Sequence, residues 1–249
     1  MITGKEMIKT YGKNEEKSNA LNNVNITIKD GEFVAVMGPS GCGKSTLLFS
    51  LSGADDINGG SVKLNNKELS NLKENELSDL RRKKMGFVFQ QPTMLKNLNL
   101  LDNIILPALQ DHRKDQNRIT KRAMELMKQT GIESLAKRDI TEVSGGQLQR
   151  AGICRALINS PEILFADEPT GALNSKVADE IMELFTEIHE NGTAIMLVTH
   201  DAKVATKAER VLFMKDGEIV QEIVMSEYDD KTVPEKMEFI LNQMQEMEI

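Results

Sequence analysis

Short apolar runs, bounded by glycine or polar residues, recur along the chain. They cover Val34 to Met37, Met85 to Phe89, Ile163 to Ala166 and Thr193 to Thr199. Runs of this length without polar alternation are typical of strands that are covered on both faces. Helical patterns separate them, so the sequence predicts an α/β fold with a buried sheet.

The pattern is different at the start and in the middle of the chain. Residues 1–37 read as strands, and Ala20 to Lys29 alternates apolar and polar positions. From Leu100 to Ser160 the strand pattern is absent, and two apolar stripes at helical spacing replace it. We therefore expect an inserted helical subdomain. Its stripes are Leu101, Ile104, Ile105 and Ala108, then Ile119, Ala123, Leu126, Met127 and Thr130.

These patterns predict one domain with three parts. The core takes residues 1–92 and 161–231, the helical subdomain takes 93–160, and a C-terminal helix takes 232–249. Pro234 suits the first turn of that helix. We expect its apolar stripe to pack on its own domain, with a partner protein as the alternative. The stripe consists of Met237, Ile240, Leu241, Met244 and Met247.

Composition narrows the class of protein. The 249 residues are 40% hydrophobic, enough for a large core, and their net charge of −7 gives no reason to expect nucleic acid as a partner. The two cysteines, Cys42 and Cys154, have no metal-binding spacing, which indicates reduced thiols in a cytosol. No uncharged apolar run reaches the roughly 18 residues of a membrane span, so we expect the chain to be soluble by itself.

The segment from Gly38 to Ser45 directly follows the first buried run and carries the strongest chemical motif of the chain. It fits the phosphate-binding pattern G-x-x-x-x-G-K-[ST]. In such a loop, glycines let backbone N–H groups approach phosphate oxygens, Lys44 supplies a positive charge, and Ser45 offers a hydroxyl to Mg²⁺. The preceding strand and the following helix are the context that this chemistry requires, so the sequence predicts an ATP or GTP site. The loop and helix start comprise Gly38, Pro39, Ser40, Gly41, Cys42, Gly43, Lys44, Ser45 and Thr46.

Two carboxylates end the third apolar run. Asp167 and Glu168 are costly at the end of a buried strand unless a cation lies near, and Mg²⁺ held by Ser45 is the candidate. Strand alternation directs the two side chains to opposite sides, so one can hold the metal while the other orients water. A solvated strand end is the alternative.

Single polar residues follow two further runs. Gln90 comes directly after Phe89, and His200 comes directly after Thr199. Open α/β sheets place ligands at the carboxyl ends of their strands, so both are candidate site residues. A solvated glutamine and a structural histidine are the alternatives.

Two other features allow two interpretations each. Ser144, Gly145, Gly146 and Gln147 precede a helix pattern from Leu148 to Ile158. Ser144 is either a helix N-cap or part of a second anion site at the helix start. A further residue, Tyr11, is either a face on which an adenine ring stacks or an ordinary aromatic at a strand end.

Together these motifs resemble the ATP-binding cassette family along nearly the whole chain. The resemblance implies a P-loop NTPase fold, with a RecA-like mixed sheet core, an antiparallel β subdomain and an inserted α-helical subdomain. It also implies an ATPase that works as a head-to-tail homodimer. Each ATP is then held by the phosphate loop of one copy and by the Ser144–Gln147 segment of the second copy.

The resemblance also assigns a role to each site residue. Tyr11 stacks on adenine, Lys44 binds the phosphates, and Gly38 and residues 40–46 line the nucleotide site. In the same resemblance, Ser45, Gln90 and Asp167 bind Mg²⁺. Glu168 polarises the attacking water, and His200 holds the γ-phosphate.

Three segments are most similar to one subgroup, which serves lipoprotein release, macrolide export and antimicrobial-peptide resistance. They are Phe89 to Gln91, Asp102 to Pro107 and Ala166 to Leu173. This resemblance implies an integral-membrane permease as partner and a peripheral position at the cytoplasmic face of the cell membrane. It also implies export or extraction of a peptide, lipopeptide, lipoprotein or drug. The alternative is a cell-division relative that transmits ATP-driven motion to cell-wall hydrolases.

Overall fold

The computed structural model describes residues 2–12, 18–110, 115–225 and 231–247. The strands are β1 (Ile2–Tyr11), β2 (Ser18–Ile28), β3 (Phe33–Met37), β4 (Gly59–Leu64), β5 (Lys67–Glu68), β6 (Met85–Phe89), β7 (Ile163–Asp167), β8 (Ala194–Val198), β9 (Arg210–Lys215) and β10 (Glu218–Val224). The α-helices are α1 (Lys44–Leu51), α2 (Glu74–Lys84), α3 (Leu100–Leu109), α4 (Gln116–Gln129), α5 (Gly145–Leu157), α6 (Ser175–Glu190), α7 (Ala202–Ala205) and α8 (Val233–Glu246).

The chain divides into two compact units. The first contains residues 1–78 and 194–249, and the second contains residues 79–193. The division of the chain into segments 1–92, 93–160, 161–231 and 232–249 stays a prediction.

The first unit holds an antiparallel sheet and a mixed one. The antiparallel sheet has the order β2-β1-β4-β5. In the other sheet β3 pairs in parallel with β8 and with β9, and β10 pairs antiparallel with β9. All five residues of β3 and of β8 are buried. Strands covered on both faces need apolar residues at every position, which is why these strands appeared as unbroken apolar runs.

The second unit combines a parallel strand pair with packed helices. Here β6 pairs in parallel with β7. Helices α3, α4 and α5 enclose an apolar cluster that includes Ile104, Ala123, Met127 and Cys154. Both predicted helical stripes therefore lie on buried faces, as expected for amphipathic helices in a bundle.

Two local predictions were wrong. Helix α5 begins at Gly145 rather than Leu148, because Ser144 caps it. Strand β7 ends at Asp167, and Glu168 has a left-handed φ of 50°, so strand alternation does not determine the direction of its carboxylate. The predicted stripe of α8 is buried only in part: Ile240 is buried, Met237, Met244 and Met247 are partly buried, and Leu241 is exposed.

An ion pair connects the start of β9 to the segment before β3. The Arg210 guanidinium donates to both carboxylate oxygens of Glu32, at 2.8 and 3.1 Å, and to the carbonyl of Thr27 at 2.5 Å. The side chains are 14% and 11% exposed. A bidentate pair with so little solvent contact has a specific geometry. Removing one partner leaves the other charge buried without compensation, which destabilises the fold.

We expect Arg210→Met to lower the free energy of unfolding by about 2 kcal/mol, because Glu32 and the more exposed Glu222 both lose their cationic partner. Urea unfolding monitored by circular dichroism measures this loss. The control is Lys63→Met, which removes an exposed ammonium 3.7 Å from Glu68 and should cost less than about 0.5 kcal/mol. Equal losses in the two variants would contradict the assigned importance of the Arg210 pair.

Candidate functional site

The glycine-rich loop follows β3 and leads directly into α1. A Cβ on Gly43 would lie 2.2 Å from the carbonyl oxygen of Ala20, and one on Gly38 would lie 2.2 Å from that of Met214. The Gly217 amide also donates to the Cys42 carbonyl at 3.0 Å. Neighbouring backbone therefore encloses the loop so closely that only glycine fits at two positions.

Lys44 is the cation of this loop. Its side chain is 8% exposed, and its ammonium donates to the carbonyls of Gly38 and Pro39 at 2.8 Å each. Both acceptors are neutral, so these bonds hold the ammonium in place without cancelling its charge. The cap of α1, Gly43, has no side chain that could occupy the first N–H groups of the helix. This arrangement favours an anion such as phosphate at the helix start.

Cys42 lies within the same loop and is 5% exposed. Burial raises the pKa of its thiol, and the Lys44 ammonium, whose nitrogen is 3.9 Å from the sulfur, opposes that shift. The thiol is thus mostly protonated at neutral pH and becomes nucleophilic as the pH rises.

His200 lies at the same sheet edge as the loop. Strand β8 runs parallel to β3, with Val198 opposite Val36. The residues that follow each strand therefore emerge side by side, and the Thr199 amide donates to the Val36 carbonyl at 3.1 Å. His200 itself is exposed. The parallel register brings these two predicted site elements together.

Tyr11 ends β1 and is 46% exposed. Its hydroxyl donates to Asp55 at 2.5 Å, and the Lys9 ammonium lies 5.0 Å from its ring centroid while also donating to Asp55 at 2.5 Å. Burial and the contact with Asp55 raise the pKa of Tyr11. Lys9 and Asp55 thus hold the ring in place, yet neither was identified from the sequence, since both lie in segments with no recognisable motif.

In the second unit, parallel pairing brings Gln90 and the two carboxylates to one edge. Phe89 lies opposite Asp167 in the register of β6 and β7. Beyond these strands, the Gly171 amide donates to the Glu168 carbonyl at 3.0 Å, and a Cβ on Gly171 would lie 2.8 Å from the Gln90 amide nitrogen. The loops that carry Gln90 and Glu168 are therefore in contact through Gly171.

Ser144 is the N-cap of α5. Its hydroxyl accepts from the Gln147 amide at 3.3 Å, and the Gln147 side chain accepts from the Ser144 amide at 2.9 Å. This reciprocal capping box confirms the N-cap interpretation. Gly145 and Gly146 form the first turn. The anion-binding role of this segment stays a prediction.

One buried amide near these loops was missed by sequence reasoning. Gln149 is 1% exposed and donates to the carbonyls of Phe89 and Pro169. Its acceptors lie 60 and 20 residues away in the sequence. A local pattern contains no signal for such long-range contacts.

The predicted Mg²⁺ ligands share one chemical character. Ser45, Gln90 and Asp167 offer a hydroxyl, an amide and a carboxylate, which are the oxygen donors that Mg²⁺ prefers. Within the described part of the chain, no group of three or more His, Cys, Asp or Glu side chains could hold a metal. Hydroxyl, amide and carboxylate oxygens suit a metal that completes its shell with water and phosphate.

The family model for ABC transporters matches residues 21–171, more than half of the chain. The chain belongs to the ABC transporter family. It is the ATP-binding, ATP-hydrolysing component of such a system. In the ranges that the structure describes, no helix is both long enough and apolar enough to span a membrane.

Individual ABC proteins are similar over most of this chain. It is 43% identical over 235 residues to the uncharacterized ABC transporter ATP-binding protein MJ0796 of Methanocaldococcus jannaschii, which covers 93% of this chain and 100% of that one. It is 41% identical to the macrolide export ATP-binding/permease protein MacB of Mannheimia succiniciproducens, over 89% of this chain and 34% of MacB.

A solved structure supports the same assignment. It is the dimeric, post-hydrolysis state of MJ0796 bound to ADP and Pi, which aligns with a TM-score of 0.84 and 42% identity over 90% of this chain and 99% of that one. This likeness confirms the predicted ABC fold, with a mixed sheet, an antiparallel sheet and a helical subdomain.

We expect alkylation of Cys42 to inhibit ATP hydrolysis, and bound ATP to protect the thiol, because the loop has little space for an added group. Labelling should accelerate as the pH rises from 7 to 9, since the raised pKa of Cys42 leaves little thiolate at neutral pH. Mass spectrometry of the N-ethylmaleimide-treated protein measures both thiols.

Cys154 is the internal control for this labelling. It is fully buried, and burial raises the pKa of its thiol to about 11. It should stay unlabelled in the folded protein. Equal labelling of Cys42 with and without ATP would contradict its predicted position beside the phosphates.

Proposed function

We propose that this ABC protein forms a homodimer that closes over two ATP molecules with Mg²⁺ and thereby drives an integral-membrane permease. The observation that carries the proposal is the parallel register of Phe89 with Asp167, which brings Gln90 and the Asp167–Glu168 pair to one sheet edge. A metal-binding amide, a metal-binding carboxylate and a water-orienting carboxylate are the groups that phosphoryl transfer to water requires.

Each site residue has a role in this proposal. Lys44 and the loop amides bind the β- and γ-phosphates, as its ammonium beside two neutral carbonyls permits. Mg²⁺ supplies charge neutralisation, and Ser45, Gln90 and Asp167 would hold it. Glu168 orients the attacking water and accepts its proton. His200 donates to the γ-phosphate.

The second copy is proposed to complete each site. Ser144 lies at the start of a 13-residue helix, and Gly145 and Gly146 leave the first-turn amides uncovered by side chains of their own. Such a helix start favours the γ-phosphate of ATP bound in the partner subunit. The dimeric state of MJ0796 supports this arrangement. Tyr11 presents a 46% exposed side chain for stacking on adenine.

The proposed partner and location follow from the relatives. MacB carries its ATP-binding part and its permease in one chain, and this chain corresponds to about a third of it. We therefore place this protein at the cytoplasmic face of the cell membrane, bound through a separate permease. The proposed function of the complex is export or extraction of a peptide, lipopeptide, lipoprotein or drug. Copurification of the membrane complex tests this assignment by identifying the permease.

We expect Glu168→Gln to reduce ATP hydrolysis by at least about 10²-fold, because the amide cannot accept the proton of the attacking water. ATP binding should persist and the protein should elute as a dimer with ATP during size-exclusion chromatography. Phosphate release and elution volume are the two measurements.

The matched control is Glu162→Gln, the same change at an exposed residue that pairs with Lys84. It should hydrolyse ATP at the wild-type rate. The proposal is contradicted if Glu168→Gln remains fully active. It is also contradicted if the wild-type rate per molecule does not fall on dilution and the protein stays monomeric with ATP.

A further inference from the structure

The side chain of Gln149 joins two loops that flank the proposed catalytic groups. Its amide nitrogen donates to the carbonyl of Phe89 at 3.0 Å and to that of Pro169 at 2.8 Å. Phe89 directly precedes Gln90, and Pro169 directly follows Glu168. One buried amide thus holds the backbone beside both groups.

The orientation of this amide is determined by its acceptors. Both contacts are to carbonyl oxygens, which only the –NH₂ side of the amide can serve. The opposite atom, Oε1, is buried without a hydrogen-bond partner among the described residues. The two hydrogen bonds to the Phe89 and Pro169 carbonyls therefore depend on the –NH₂ group of Gln149. A side chain of equal size without N–H donors cannot make them.

The backbone held in this way is conformationally unfavourable. Glu168 has φ 50°, a left-handed conformation that a residue with a Cβ adopts only when its surroundings impose it. The Pro169 carbonyl next to it accepts from Gln149, and the Glu168 carbonyl accepts from the Gly171 amide. These two bonds are constraints that maintain the turn carrying the Glu168 carboxylate.

Gln149 is also rigidly connected to Ser144. Gln149 lies in α5, which covers residues 145–157, and Ser144 is the N-cap of that helix. Five helical residues span only about 7.5 Å, and a helix transmits small displacements along its axis. A rigid-body movement of α5 would therefore also shift the amide that holds the Phe89 and Pro169 carbonyls.

We propose that Gln149 is a positioning residue for ATP hydrolysis, which couples the Ser144 end of α5 to the backbone beside Gln90 and Glu168. The inference rests on the proposed roles of those residues. Gln149 touches no reacting atom. It acts by keeping the water-orienting carboxylate and the metal-binding amide in register with the helix that meets the second ATP.

The test compares Gln149→Glu with Gln149→Met. The first keeps the size of the side chain but removes both N–H donors, and the protonated acid regains a single O–H donor. Burial raises the pKa of such a carboxyl, so lowering the pH favours its protonated form. We expect kcat of Gln149→Glu to fall about tenfold or more at pH 8, with KM for ATP changed less than about twofold. The defect relative to wild type should shrink toward pH 6.

Gln149→Met has no donor at any pH, so its defect should stay constant across the same range. Gln129→Glu is the matched control, because Gln129 is exposed in the same unit, and it should show no pH-dependent defect. Circular dichroism and thermal melting of each variant verify folding. A wild-type kcat in Gln149→Glu at every pH would overturn the inference. So would a loss that is independent of pH and equal to that of Gln149→Met.

Glu168→Gln, measured in parallel, distinguishes failure of the proposed function from failure of the role proposed for Gln149. If it hydrolyses ATP at the wild-type rate, the proposed function fails, and the inference about Gln149 fails with it. If Glu168→Gln is inactive while Gln149→Glu is normal, only the role of Gln149 is refuted.

Discussion

Parallel strand pairing is the constraint on which the rest of this structure depends. Because parallel strands end at the same edge, residues that are far apart in sequence emerge next to one another. The register of β3 with β8 does this for the phosphate loop and His200, and that of β6 with β7 does it for Gln90 and Asp167. The cost is that each strand must be apolar along its whole length, which the unbroken runs satisfy.

Close backbone contacts shape the loops at these edges. Gly38 and Gly43 lie against the carbonyls of Met214 and Ala20, and Gly171 lies against the Gln90 amide. The two backbone carbonyls leave no space for a Cβ on Gly38 or Gly43, so the conformation of the phosphate loop depends on neighbouring strands as well as on the loop itself. The Lys44 ammonium is then held by two neutral carbonyls of its own loop, which do not cancel its charge.

Hydrogen-bonded polar side chains complete the positioning. Gln149 holds two loop carbonyls, and the partly exposed Asp55 binds both Lys9 and the Tyr11 hydroxyl. The bonds made by Gln149, which is 1% exposed, are costly to break, because water cannot replace the lost partner. Side chains that touch no nucleotide can therefore control where the proposed catalytic groups lie, and this is the physical basis for the role assigned to Gln149.

The sequence by itself determined the strands, the helical subdomain and the phosphate loop, because apolar periodicity and glycine spacing are local properties. It did not determine that Glu168 leaves the strand with a left-handed φ, that only Ile240 of the α8 stripe is buried, or that Lys9 and Asp55 hold Tyr11. Only the tertiary structure decided these, because each depends on contacts between residues that are distant along the chain.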